Sequence, residues 1–150
     1  MSLSEQSFIH PLQEVMSRFG KYPIGMLFDT LSQGEFFMLV KIDCLEGEEG
    51  EVSITELTNF CHVSMPAVSR MLHSMEKKGY LERYASRKDK RTTFVKLTDL
   101  GKTYKEEAQK KVTKFIEKVS KQMGEEKMRQ FTKLFWEFVD MMELEMKNIR

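Results

Sequence analysis

The chain has 150 residues, 31% of them charged and 41% hydrophobic, with a formal net charge of +1. That suits a soluble globular protein with one domain, or a compact pair of sub-domains, around a real core. The near-neutral total argues against a general polyanion binder, and no apolar run has the length of a membrane span or the form of a signal peptide.

In chain order, residues 5–19 read as an amphipathic helix with Phe8, Leu12, Val15, Met16 and Phe19 on one side. The Gly20–Gly25 stretch, containing Pro23, breaks it, and the residues from Met26 to Leu31 are less defined. Ser32 is placed to cap a helix over 33–45, where Phe36, Phe37, Leu39, Val40 and Ile42 leave little polar surface beyond Lys41 and Asp43. A central, mostly buried helix is expected there. The acidic run Glu46–Glu51 ends it, and Val52–Ile54 can add a short strand to a sheet. Ser53-Ile54-Thr55-Glu56 then fits a capping box. Leu57 and Phe60 give that short helix an apolar side, and a Cys61-His62-Val63 turn follows.

The next helix has two opposed faces. Ser64 is an expected N-cap, Pro66 falls in the first turn, and Val68, Met71, Leu72 and Met75 recur at buried-stripe spacing. Pro66, Ser69, Arg70, His73 and Lys77 occupy the opposite face, which has donors and positive charge but no acid. Gly79 is the expected C′ residue. Two β-prone runs, Tyr80–Ala85 and Thr92–Leu97, flank the polar tip Ser86-Arg87-Lys88-Asp89-Lys90-Arg91. Between Ser64 and Arg91, eight Lys/Arg stand against three acids, a local +5 on a chain whose total is +1. A patch so concentrated is the footprint of a polyanion site. Helix, tight turn, second helix and basic ribbon together describe a winged helix-turn-helix made for double-stranded DNA. Arg70 suits guanine acceptors in the major groove, and Lys77 suits phosphate. Ser64, Pro66, Ser69 and His73 complete the helix contacts, with Arg87, Lys88, Lys90 and Arg91 on the ribbon tip.

Thr98 is placed to cap a long helix over 99–122, with Leu100, Tyr104, Ala108, Val112, Phe115, Ile116 and Val119 along one side. Gly124 interrupts it. A last helix over 125–148 carries Met128, Phe131, Leu134, Phe135, Phe138, Met141, Met142, Leu144 and Met146, more apolar surface than it can bury in so small a domain. A homodimer interface is expected there. The expected fold is therefore mainly α with a small β-ribbon. Residues 32–100 would form the DNA-binding lobe, and 1–31 with 101–150 a helical dimerisation lobe. Twelve methionines suggest packing that can rearrange.

Three stretches resemble the bacterial multiple-antibiotic-resistance regulators, the MarR family. VSMPAVSRMLHSMEKKGYLER (63–83) carries its helix-turn-helix pattern, DKRTTFVKLTDLG (89–101) looks like its wing signature, and LSQGEFFML (31–39) resembles the preceding helix. The likeness spans about Leu31 to Gly101. It implies a homodimeric transcription factor on an inverted-repeat operator, most often a repressor, whose affinity responds to a small aromatic or apolar effector. It also implies that Arg91 reaches the minor groove while Asp89 holds it in place.

Other classes remain as alternatives. Cys44 and Cys61 are too few for a disulfide framework, fit a reducing cytoplasm, and read as small apolar residues, with oxidant sensing as the alternative. Two cysteines and three histidines are too scattered for a zinc site, so no metal or cofactor is expected. No Gly-rich phosphate loop, HExxH or nucleophile elbow points to an enzyme. A winged-helix module that binds protein instead of DNA is the remaining reading, and the basic tip weighs against it.

Overall fold

The computed structural model describes residues 3–46, 52–61, 63–85 and 92–149, with side chains from residue 9 onward. The elements run α1 (Leu3–Gly20), a single 3-10 turn (Ile24–Leu27), α2 (Gln33–Leu45), β1 (Val52–Ser53), α3 (Ile54–Cys61) and α4 (Met65–Lys77). After these come β2 (Leu81–Ala85), β3 (Thr93–Leu97), α5 (Asp99–Met123) and α6 (Glu125–Asn148). The helical boundaries differ from the sequence expectation by two residues at most. The chain divides into two compact units, Met1–Lys111 and Val112–Arg150.

In the first unit, two capping boxes start two helices. Ser32 Oγ accepts from the Glu35 N–H at 3.2 Å, and Glu35 Oε2 accepts from the Ser32 N–H at 2.9 Å. Ser53 and Glu56 repeat the arrangement ahead of α3 at 3.1 and 2.9 Å. Each box satisfies two otherwise orphaned donors. The sheet order is β1-β3-β2, antiparallel throughout, with Val52 opposite Val95 and Leu81 opposite Leu97. Alternation along β3 puts Val95 and Leu97 inside and Lys96 outside. The core is Leu39 and Ile42 from α2, Leu57 from α3, Val68, Leu72 and Met75 from α4, and Val52, Leu81 and Val95 from the sheet. Glu46, expected to begin the acidic loop, instead accepts the Leu97 N–H at 3.1 Å and ties the end of α2 to β3.

Two expectations are corrected here. Phe60, expected on the buried side of α3, is exposed, and Lys41 Nζ lies over its ring at 4.2 Å. A cation on the ring face accounts for an aromatic that the core does not take in. Cys44, read as a small apolar residue of the central helix, is exposed, because the turn past buried Ile42 carries Asp43 and Cys44 outward. Cys61 is half-buried.

The second unit holds the end of α5 and all of α6. Gly124, at φ 85°, joins them in a conformation that L side chains rarely adopt. No residue of α6 is buried, and Phe131, Leu134, Phe135, Trp136, Met141 and Leu144 are all exposed. In the first unit, α1 likewise exposes Leu12, Val15, Met16 and Phe19.

Candidate nucleic-acid interface

The opposed faces of α4 lie as the spacing requires. Val68, Leu72 and Met75 are buried, whereas Pro66, Arg70, His73 and Lys77 are exposed and Ser69 is half-buried. Ser64 is exposed and occupies the N-cap, but its hydroxyl makes no capping bond. The reason is local. Pro66 has no N–H to offer, and the Ala67 N–H is taken at 3.0 Å by the Ser64 carbonyl, which also accepts from Val68 at 3.1 Å.

The face expected to be free of acid has one at its border. Glu76 Oε2 lies 3.9 Å from His73 Nδ1, but it accepts from Arg83 Nε of β2 at 2.9 Å, so its charge is neutralised locally. In the sequence Glu76 and Arg83 stand out only as charges. Their spacing of seven across the Gly79 turn gives no periodic signal, since it joins a helix to a strand.

The end of α4 is fastened from three sides. Gly79 takes φ 75°, its N–H donates to the Glu76 carbonyl at 2.9 Å, and the Tyr80 N–H donates to Met75 at 3.0 Å. That is a Schellman closure, available to glycine without strain. From just ahead of α5, Thr98 Oγ1 donates to the Gly79 carbonyl at 2.6 Å, and the Thr98 N–H donates to the Tyr80 carbonyl at 3.1 Å. From α2, Glu35 Oε1 accepts from Lys78 Nζ at 2.6 Å. Glu35 is only 6% exposed, so this ion pair joins two helices through a shielded contact. The Ser32-x-x-Glu35 pattern signals the cap, but nothing in the sequence signals Lys78 as a second partner.

Burial alone would raise the Glu35 carboxyl, but hydrogen bonds from Lys78 and Ser32 outweigh it and hold the group below its ordinary value of 4.5. Lys78 is correspondingly raised, chiefly by its hydrogen bond to Glu35. A depressed carboxyl contributes stability that is present above its unfolded value and lost as pH falls through its folded value. Acid should therefore loosen the α2–α4 joint below about pH 4.5. Thermal melts from neutral pH to about pH 3 should show the parent losing more than Glu35→Gln, which has no charge to titrate. Parallel curves would contradict this.

Arg87, Lys88, Asp89, Lys90 and Arg91 lie outside the described residues, as does His62. A cavity of about 80 Å³ in the first unit is lined by Phe28, Thr30, Leu31, Tyr104 and Ala108, with the Asp29–Lys111 ion pair beside it. Among the described residues no group of His, Cys, Asp and Glu could hold a metal ion, and no helix is long and apolar enough to cross a membrane.

Residues 31–93 match the family model described as MarR family. No curated protein sequence matches the chain. Among solved structures, a mutant of E. coli MarR complexed with operator DNA is 22% identical, with a TM-score of 0.70 over 92% of this chain and 99% of that one. Streptococcus pneumoniae FabT in complex with DNA is 20% identical, with a TM-score of 0.72 over 93% of this chain and 97% of that one. A mutant of S. aureus MepR is 17% identical, with a TM-score of 0.71 over 89% and 98%. At these identities the structural likeness establishes the fold. That fold, a winged helix, is shared along almost the whole chain, and within it the stretch from Leu31 to Thr93, less than half of the chain, is similar to the MarR family.

Proposed function

We propose that this chain is a sequence-specific DNA-binding transcriptional regulator that works as a homodimer on an inverted-repeat operator. The observation that carries the reading is the outward face of α4, where Pro66, Arg70, His73 and Lys77 are exposed on a helix held rigidly from behind. A helix of this kind fits the major groove, where base edges differ in donors and acceptors. Two structures of like fold, MarR and FabT, are complexes with DNA. Residues 32–100 form the DNA-binding lobe in this reading, with Arg87, Lys88, Lys90 and Arg91 on the wing and Asp89 orienting Arg91. Residues 1–31 and 101–150 form the dimerisation lobe. The uncovered apolar residues of α6 and α1 are what a second copy would cover.

Selection of duplexes from a random pool tests the first part, and sedimentation at micromolar concentration tests the second. An inverted repeat with half-sites about 10 base pairs apart and a particle of twice the chain mass are expected. Sequence-independent recovery, or a stable folded monomer, would contradict the reading.

Repression, released by a small aromatic or apolar effector, is the finer part of the proposal. The 80 Å³ cavity beside Tyr104 is well below the roughly 300 Å³ at which small-molecule sites begin. An effector seated there must displace Tyr104 or the Phe28–Leu31 segment. Aromatic acids that raise the melting temperature should also release the selected duplex, and stabilisation without release would count against regulation.

A further inference from the structure

On the DNA-binding reading above, we infer that Glu76 and Arg83 are positioning residues that make His73 a hydrogen-bond donor to one base in each half-site. The geometry runs outward from the sheet. Arg83 is in β2, opposite Val95 of β3, so its backbone is fixed by the ladder. Its Nε donates to Glu76 Oε2 at 2.9 Å, which anchors the guanidinium against α4. The Nη2 of the same group then lies 3.4 Å from His73 Nδ1.

A guanidinium has donors and no acceptor, so at this contact His73 Nδ1 is the acceptor. A neutral imidazole that accepts at one nitrogen carries its proton on the other. The Nε2–H is therefore the group that His73 offers beyond the helix surface, where the residue is exposed. Without Arg83 the ring could present either nitrogen, and so either a donor or an acceptor. The anchored arginine removes that choice, and strand and helix act as one reader.

A donor at this position selects a base with a major-groove acceptor. Guanine offers N7 and O6, adenine N7, and thymine O4, whereas cytosine offers only its N4 amino donor. At one position in each half-site the parent should thus disfavour cytosine on the contacted strand, by about five-fold, the worth of one net hydrogen bond.

The test is competitive binding of the duplex selected by the parent and of its single-position substitutions. It uses the parent, His73→Ala, Arg83→Lys, Glu76→Gln and the double variant of His73→Ala with Arg83→Lys. Arg83→Lys keeps a cation for Glu76 but loses the rigid planar fork that fixes a second donor against Nδ1. We expect His73→Ala to lose the discrimination against cytosine at one position per half-site. Arg83→Lys and Glu76→Gln should relax that same position and no other, and the double variant should add nothing to His73→Ala. Preference unchanged in His73→Ala, or a relaxed position that Arg83→Lys leaves untouched, would overturn the inference. So would an Arg83→Lys variant that weakens all sequences equally, since that is the mark of a merely structural pair. A parent that selects no sequence at all would instead overturn the DNA-binding reading beneath it.

Discussion

Gly101→Ala should lower the melting temperature by roughly 6–12 °C, corresponding to a loss of about 3 kcal/mol. A Cβ at residue 101 would lie 2.9 Å from the Tyr80 carbonyl carbon and closer still to its oxygen. The obstacle is backbone, so no rotamer change relieves it. Nor can Tyr80 retreat easily. Its N–H is bonded to Met75, its carbonyl accepts from Thr98, and its ring packs on Tyr104 with centroids 5.2 Å apart. The substitution must therefore pry the start of α5 from the end of α4. Gly79→Ala is the control for scale. Its site leaves room, with Leu100 Cδ2 at 3.7 Å, and the cost is that of a positive φ, about 1–2 kcal/mol. Differential scanning of both variants checks the order. A Gly101→Ala protein melting within about 2 °C of the parent would show that the α4–α5 joint is looser than these contacts require.

The second large effect is on DNA binding. Arg70→Ala should weaken operator binding by about 1–3 kcal/mol per half-site and relax preference at one position, because a guanidinium can bridge two guanine acceptors. Arg70 is exposed on α4 between Pro66 and His73, where no side chain of the core competes for it. Arg91→Ala should cost a similar amount in another manner. In the proposed minor-groove position the base pattern is degenerate but groove width varies. Preference within the inverted repeat should stay, and the dependence of affinity on salt should become shallower. Equilibrium titrations across a salt series, with each variant first shown to dimerise, separate the two. Parent-like affinity of Arg91→Ala throughout would remove the wing from the interface and leave the helix reading standing.

What the sequence revealed, and what it hid, follows from how far apart the interacting residues are. Periodic patterns gave the helices, since Val68, Leu72 and Met75 need only their own helix to be recognised. Capping at Ser53 and turn closure at Gly79 were legible because their partners lie within a few residues. Ser64 takes the N-cap position expected of it but makes no capping bond, since such a bond needs a donor and Pro66 withholds one. The Glu35–Lys78 pair joins residues 43 apart, and no local rule connects them. Gly101 carries no local sign of its role, since it is Tyr80, 21 residues earlier in the chain, that leaves it no room for a side chain. Glu76 and Arg83 were visible as charges, but their service to His73 depends on a sheet register that only the folded chain reveals.

Footprinting of the parent on its selected duplex tests the central claim most directly. Two protected major-groove stretches, centred about 10 base pairs apart and related by a dyad, are the result expected of paired α4 helices. One protected stretch without symmetry, or uniform protection regardless of sequence, would contradict it.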